Sequence, residues 1–232
     1  MENSKKQKFT ITKDHALIGV LLLAVVLFLI IVIFDPLEKK PLQQQLPFLG
    51  QCRYDTVRKN GNYVLDTVHH TVQKFSFTDQ TGKTITEKNF KGKIYVADFF
   101  FTTCQSICPI MTNQMKRVVD AYKKEPAVMF LSHTVYPEHD SVSVLAEYAK
   151  NQSADASRWH FVTGSKKELY DMARKSYLLS TDSGDGGKSD FVHTQMFALV
   201  DVNSHVRGFY NGTDSSDVNK LIADIDRLLK TK

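Results

Sequence analysis

Two cysteines separated by three residues are the part of the sequence best suited to chemistry. Cys104 and Cys108 lie in the stretch Cys-Gln-Ser-Ile-Cys-Pro, between an apolar run and a stretch that predicts a helix beginning at Pro109. At such a position, backbone N–H groups and the positive end of the helix dipole favour thiolate over thiol. The pair is therefore suited either to metal binding or to disulfide exchange.

The spacing of the pair favours metal binding and leaves redox chemistry open. Disulfide exchangers typically carry two residues between their cysteines, whereas this chain has three. Residues four apart share one face of a helical turn, so both sulfurs point the same way. A disulfide is also geometrically possible, although a purely structural one gains little from so short a loop. Peroxiredoxin chemistry is disfavoured because Ala97 and Phe101 stand where its motif needs Pro and Ser or Thr.

A histidine would extend the donor set to both oxidation states of copper. Among eight histidines, His193 follows a segment rich in Gly, Asp and Ser and shortly precedes a predicted strand at Phe197. In the fold inferred below, the start of that strand lies beside the cysteine loop. Two thiolates and one imidazole suit Cu(I), and also Zn(II). The residues alone therefore leave copper and zinc open for a site formed by Cys104, Cys108 and His193.

Other chemically capable residues have simpler interpretations. His133 and His160 belong to predicted buried strands and are expected to be core residues. Asp98 interrupts an apolar strand, and is either a buried acid with a raised pKa or a solvent-facing residue at a sheet edge. Three methionines could bring sulfur near the cysteines, but core packing is the favoured interpretation: Met111, Met115 and Met196.

The order of predicted elements indicates an α/β fold. The apolar runs 94–102 and 127–135 predict buried strands, and each is followed by a predicted helix, at 109–124 and 141–150. The other predicted elements are a hairpin at 53–57 and 63–67 around Asn60-Gly61, strands at 72–78 and 159–163, a helix at 165–177, a loop at 180–190, a second hairpin at 197–202 and 205–210, and a last helix at 217–229. Alternating strands and helices that end in a hairpin and a helix predict a thioredoxin-like fold, with a central mixed sheet flanked by helices.

The N-terminal region predicts a membrane anchor. Residues 16–34 are apolar or Gly, which is enough to span a bilayer as a helix. Four lysines precede this run, two follow it, and no small-residue cleavage motif ends it, so we expect an uncleaved span with its N-terminus in the cytoplasm. The predicted organisation is 1–14 cytoplasmic, 15–34 transmembrane, 35–50 linker, and 51–232 a copper-binding domain on the periplasmic side of a bacterial inner membrane.

Composition excludes other classes of protein. The net charge of +5 is mild and the basic residues form no long block, so nucleic-acid binding has no support. Three cysteines are too few for a disulfide scaffold. Hydrophobic content of 42% is ample for a packed core.

Taken together, these features resemble the Sco/SenC family, over about 71–229 together with the anchor. Four segments carry the resemblance: Phe-Phe-Phe-Thr-Thr-Cys-Gln-Ser-Ile-Cys-Pro at 99–109, Pro-Glu-His-Asp at 137–140, Trp-His-Phe-Val-Thr-Gly at 159–164 and Phe-Val-His-Thr at 191–194. The chain departs from the family pattern at Val192, where the family usually has Asp. It also has Tyr-Pro-Glu-His-Asp at 136–140, where the family tends to have Asp-Pro-x-Arg-Asp.

The resemblance implies a membrane-anchored metallochaperone that helps to mature the copper site of cytochrome c oxidase. It also implies that Cys104, Cys108 and His193 bind one copper ion, as Cu(I), Cu(II) or both. The implied partners are oxidase subunit II or another copper protein, a thiol-disulfide reductant, and the membrane through 15–34. One alternative is an enzyme, a thiol-disulfide reductase that uses the same cysteines without needing His193. Another is a copper or redox sensor.

Overall fold

The structure is a computed structural model that describes residues 22–28, 45–59, 61–180, 184, 190–192 and 194–231. The chain divides into two compact units, Met1–Gln44 and Gln45–Lys232. In the first unit, residues 22–28 are helical. No helix in the described part of the chain is both long and apolar enough to cross a membrane. The other residues of the predicted anchor at 15–34 lie outside the described residues.

The second unit begins with a hairpin that forms a sheet of its own. Strands β1 (Arg53–Lys59) and β2 (Asn62–Val68) pair antiparallel, with Arg53 opposite Val68 and Lys59 opposite Asn62. The Asn-Gly dipeptide between them is the sequence feature that predicted this turn.

A seven-stranded mixed sheet forms the centre of the second unit, in the order β4-β3-β7-β6-β5-β8-β9. Its strands are β3 (Ser76–Asp79), β4 (Thr84–Thr86), β5 (Ile94–Phe100), β6 (Val128–Thr134), β7 (Trp159–Thr163), β8 (Met196–Val200) and β9 (Val206–Asn211). Strands β5, β6 and β7 run parallel, whereas β8 pairs antiparallel with β5. The expected mixed sheet is therefore confirmed.

Four α-helices connect and cover the strands. They are α1 (Ile107–Ala121), α2 (Val142–Asn151), α3 (Lys166–Asp171) and α4 (Ser215–Lys230). A short 3-10 helix (Glu87–Phe90) follows β4, and a π-helical turn (Met172–Ser176) continues α3. Ser165 caps α3 by accepting a hydrogen bond from the Glu168 N–H, as the sequence predicts.

Hydrophobic cores lie on both faces of the sheet, because successive side chains of a strand point to opposite faces. All seven residues of β5 are buried. Val96 and Phe100 pack with Met111 and Met115 of α1, whereas Tyr95, Ala97 and Phe99 belong to the opposite core. Two of the three methionines considered as sulfur donors, Met111 and Met115, are thus core residues.

Candidate metal centre

The two cysteines lie where β5 ends and α1 begins. A six-residue loop, 101–106, connects these elements, and the Cys104 N–H donates to the Phe101 carbonyl across 3.2 Å. Helix α1 begins at Ile107, two residues before the predicted start, so Cys108 lies in its first turn. Loops at the carboxyl ends of strands are the usual ligand-binding edge of an α/β sheet.

The pair is asymmetric in exposure and in hydrogen bonding. Cys104 is partly exposed, whereas Cys108 is 4% exposed and packs in the core beside α1. The Cys108 N–H donates to Cys104 Sγ over 3.4 Å, and Ser106 Oγ lies 3.7 Å from the same sulfur. Both cysteines are free thiols. The Cys104 sulfur is therefore the one that can be reached from solvent, whereas Cys108 is buried and its N–H donates to the Cys104 sulfur.

Electrostatics reinforce this asymmetry. Burial opposes ionisation of Cys104, but hydrogen bonds from Cys108 and Ser106 outweigh it and lower the pKa of the thiol to about 7. Burial, together with the hydrogen bond to Cys104, raises the pKa of Cys108 to about 12. Near neutral pH the site therefore makes a thiolate available at Cys104 and keeps a buried thiol at Cys108. Thiolates are the form that binds soft metals and attacks disulfides.

A buried carboxylate fixes the start of the cysteine loop. Asp140, fully buried after β6, accepts hydrogen bonds from the Thr102 N–H at 3.1 Å and from the Thr102 hydroxyl at 2.5 Å. It also accepts from the Thr134 hydroxyl at 2.5 Å and lies 2.9 Å from His139 Nδ1. Because Thr102 precedes Cys104 by two residues, Asp140 ties the end of β6 to the loop that carries the exposed sulfur. In the sequence, Asp140 was notable only as part of the Pro-Glu-His-Asp segment at 137–140, and its bonds to the cysteine loop were not predicted.

Asp98 is a buried acid, which decides between the two interpretations of the sequence. It is 3% exposed and accepts a 2.5 Å hydrogen bond from Ser132 Oγ, which in turn accepts from Trp159 Nε1 at 2.9 Å. Burial raises the pKa of its carboxyl to about 7. Strand alternation places Asp98 on the same face of the sheet as Phe100, whose ring packs in the core that contains Cys108.

The third predicted ligand, His193, lies outside the described residues. Its neighbours are described on both sides. The Phe191 ring meets the Phe101 ring edge to face at a centroid distance of 5.5 Å, and Val192 is buried in the core. After it, Thr194 Oγ1 accepts from the Met196 N–H at the start of β8. Phe191, two residues before His193, thus contacts Phe101, the first residue of the cysteine loop.

The remaining histidines of the described sheet have other environments. His133 is fully buried, stacks on Phe99 at 4.8 Å, and its pKa is lowered to about 3 by burial. His160 is buried and lies 3.1 Å from Asp79. Both are core residues, as expected. Within the described residues, which lack His193, no group of three or more His, Cys, Asp or Glu side chains could hold a metal ion.

A groove of about 540 Å³ opens beside the cysteine loop. Its lining combines three aromatic residues and a valine with one charge of each sign: Phe101, Thr103, Val135, Tyr136, Glu138, Lys166 and Phe191. Tyr136 and Phe191 are each 42% exposed. Any protein that reaches the Cys104 sulfur therefore meets an apolar surface next to it.

Comparison with known proteins is consistent with this geometry. A family model described as SCO1/SenC matches residues 65–230. A SCO1/SenC family lipoprotein from Bacillus anthracis is 32% identical, with a TM-score of 0.61, and the match covers 69% of this chain and 95% of that one. BsSco is described as a member of the Sco family of cytochrome c oxidase assembly proteins with a disulfide switch. It is 32% identical, with a TM-score of 0.60, and the match covers 70% of this chain and 95% of that one.

A third solved structure bears on the metal. ScoI from Arabidopsis thaliana, crystallised with copper bound, is 26% identical, with a TM-score of 0.56, and the match covers 70% of this chain and 99% of that one.

Proposed function

Because the chain belongs to the SCO1/SenC family, we propose that it is a membrane-anchored copper-binding protein that helps to assemble the copper site of cytochrome c oxidase. The observation that carries the proposal is the pair of free cysteines, Cys104 and Cys108, at the carboxyl end of β5. Copper is cargo here, taken up and passed on.

The donor set supports copper. The low pKa of Cys104, about 7, makes a thiolate available near neutral pH, and thiolate sulfur is a soft ligand that selects Cu(I). Binding at Cys108 requires loss of its proton, whose pKa is about 12 in the metal-free protein. Copper uptake by both sulfurs therefore releases protons. The Arabidopsis relative with bound copper supports the same metal for this chain.

We assign Cys104, Cys108 and His193 as the ligands. The contact between Phe191 and Phe101 supports His193, because it brings the chain two residues before His193 against the start of the cysteine loop. Val192, where the family usually has Asp, is buried among apolar side chains. A carboxylate buried among these apolar side chains would lack a hydrogen-bonding partner and be costly. Because valine has no polar side-chain group, the imidazole of His193 must be oriented by a group other than residue 192.

The proposed location is the outer face of a bacterial inner membrane. Residues 15–34 would form the span, 1–14 the cytoplasmic end and 35–50 the linker, whose last residues, 46–49, pack on the domain. The apolar run at 16–34 supports the span. The relative from Bacillus anthracis is a lipoprotein, which supports membrane attachment in the family. Oxidase subunit II, or another copper protein, would receive the copper on that side.

A second function, thiol-disulfide reduction, is favoured by the asymmetry of the cysteines. The Cys104 thiolate would attack a partner disulfide, forming a mixed disulfide and releasing one partner thiolate. Cys108, as its thiolate, would then displace the second partner sulfur, leaving a Cys104–Cys108 disulfide and a partner dithiol. A thiol reductant would return two electrons to reset the pair. BsSco is described with a disulfide switch, which supports redox activity of such a pair.

The two functions can be separated by complementation of cells that lack the native protein. Cytochrome c oxidase activity is measured in cells that carry wild type, Cys104→Ala or His193→Ala. Copper delivery predicts that both variants lose activity and that added copper restores it. If His193→Ala retains full activity while Cys104→Ala does not, the reductase function replaces copper delivery.

A further inference from the structure

The chain enters the second unit at one defined end of the seven-stranded sheet. Leu46 is 8% exposed, and its carbonyl and that of Pro47 accept hydrogen bonds from the Arg207 guanidinium. The Leu49 N–H donates to the Val206 carbonyl at 2.9 Å. These contacts fix residues 46–49 beside the turn that joins β8 to β9.

That turn lies at the opposite end of β5 from the cysteines. Strand β8 is antiparallel to β5, with Ala198 opposite Ala97 and Val200 opposite Tyr95. The residues after Val200 therefore lie beyond the start of β5, whereas the cysteine loop follows its last residue, Phe100. Seven residues of strand separate the two ends, a distance of about 20 Å.

The hairpin β1–β2 emerges at the same end as the entering chain. The Phe48 ring stacks on the ring of His69, which directly follows β2, with centroids 4.0 Å apart. At Gly50, φ is +99° and an added Cβ would lie 2.7 Å from the His70 Cβ. Such a backbone and such a close approach favour glycine. The base of the hairpin and the entry point of the chain are thus packed together.

The two faces of the hairpin differ in exposure. The half-buried side chains of Asp55, Val57 and Asp66 all lie on one face, by strand alternation and the register of the pair. The opposite face, called here the outer face, carries Tyr54, Thr56, Arg58, Tyr63, Leu65 and Thr67. Most of the exposed large hydrophobic side chains described between 45 and 231 belong to this hairpin.

The outer face has the composition of a surface that contacts lipid headgroups. Tyr54 is 68% exposed, and Tyr63 and Leu65 are each 75% exposed. Arg58 lies directly opposite Tyr63 across the hairpin. Tyrosine rings are enriched at membrane–water interfaces, and an Arg beside them can reach lipid phosphates while its apolar stem stays with the rings. The same residues facing water would leave a large apolar area exposed.

We propose that the outer face of the hairpin rests on the surface of the phospholipid bilayer. This inference depends on the proposed membrane span at 15–34. Residues 35–44, between that span and the first residue of the second unit, can reach at most about 35 Å when fully extended. Since the hairpin base lies at the entry point, the bilayer is within reach of the outer face. Contact there would leave the cysteine loop, which lies at the other end of β5 from the hairpin base, free to meet a partner.

Brominated lipids test this contact in the full-length protein. Trp159, the single tryptophan, is 1% exposed and far from water, so its emission provides a constant background. Tyr63→Trp adds a reporter on the outer face. Tyr136→Trp is the matched control, because Tyr136 is 42% exposed and lines the groove beside the cysteine loop. Each protein is reconstituted into phosphatidylcholine and phosphatidylglycerol vesicles, with and without bromine on the acyl chains, and flotation with the vesicles is checked.

We expect Tyr63→Trp to lose about half of its added emission in brominated vesicles, whereas Tyr136→Trp loses none. Equal quenching of the two variants in protein that floats with the vesicles would overturn the contact while leaving the anchor intact. Failure to float would overturn the anchor and with it this inference. Copper binding by the same samples is independent of both results. A Tyr63→Trp emission that responds to protein density but not to bromine would show a second copy of the chain on the outer face and would also overturn the proposal.

Discussion

The two ends of β5 hold different parts of the chain in place. Beyond Phe100, polar groups are brought out of water and fully paired, with the Asp140 carboxylate binding Thr102 and Thr134. Before Ile94, the neighbouring surface receives the entering chain through Leu46 and Leu49. Burying a charge is costly unless it is hydrogen-bonded, so the network at the cysteine end indicates a loop that must hold its shape. The other end buries a charge as well, since Arg207 is 8% exposed and donates to Asp201 at 2.7 Å, but there the network holds the entering chain through the Leu46 and Pro47 carbonyls.

The largest difference should appear between the two cysteines themselves. In a Cys52→Ser background, Cys104 should react with iodoacetamide at neutral pH at least about 100-fold faster than Cys108, because the thiolate is the reactive form. The Cys104 rate should rise through about pH 7 and then level off, following its pKa of about 7. Mass spectrometry of the labelled peptides measures both rates. Similar rates in the folded protein would contradict the asymmetry, and urea-unfolded protein is the control in which the rates should converge.

Removal of the Asp140 carboxylate, called here the clamp because it fixes the start of the cysteine loop, should have the next largest effect. Asp140→Ala should lower the free energy of unfolding by about 3 kcal/mol, because it leaves the buried hydroxyl of Thr134 and the N–H of Thr102 without their charged partner. Asp171→Ala is the control, since Asp171 forms surface ion pairs with Lys167 and Lys175 that are worth about 0.5 kcal/mol or less. Urea unfolding gives both values. If Asp140→Ala is no less stable than Asp171→Ala, the Asp140 carboxylate does not hold the cysteine end of β5 in place.

Burial of Asp98 should make the free energy of unfolding depend on pH. Its carboxyl has a pKa of about 7 in the folded protein and an ordinary value of 3.8. Between these values the folded state holds a proton that the unfolded state has lost, so the free energy of unfolding falls as pH rises. The free energy of unfolding of Asp98→Asn lacks this loss and should exceed that of wild type by a few kcal/mol above pH 7, with the difference disappearing near pH 4. Urea titrations at several pH values check this. A pH-independent difference would show that Asp98 is not protonated in the folded protein.

The smallest effect belongs to the hairpin. Tyr63→Ser and Leu65→Ser should each change the free energy of unfolding in detergent solution by less than about 0.5 kcal/mol, because both side chains are 75% exposed. Leu221→Ala, which removes a fully buried side chain of α4, should cost about 2–5 kcal/mol under the same conditions. A large loss from either hairpin variant would mean that the outer face is packed against the protein.

Sequence patterns predicted most of the fold because they report local preferences. The Asn-Gly turn, the apolar run at β5 and the amphipathic face of α4 each have a strong local signal, and each element is present. Strand β4, three residues long, is too short to show alternation and was not predicted. Pro109 was expected to begin α1 but lies third in it, which its missing N–H permits within the first turn.

The chemistry of the site depended more on tertiary contacts. The cysteine pair was visible from its spacing, and the burial of His133 and His160 followed from their strands. The Asp140 clamp could not be predicted, because it exists only where the ends of β5 and β6 meet. The environment of Asp98 likewise depends on Ser132 and Trp159 of the neighbouring strands.

The most direct test of the proposed copper site is a copper titration of the unit Gln45–Lys232 as wild type, His193→Ala and His69→Ala. His69, beside Phe48 at the entry end of the sheet, is the matched control. We predict that wild type and His69→Ala bind one copper ion tightly and that His193→Ala loses at least about 10-fold in affinity. If no protein holds copper while Cys104 and Cys108 still exchange disulfides, or if His193→Ala binds as tightly as wild type, the three-ligand copper site is wrong.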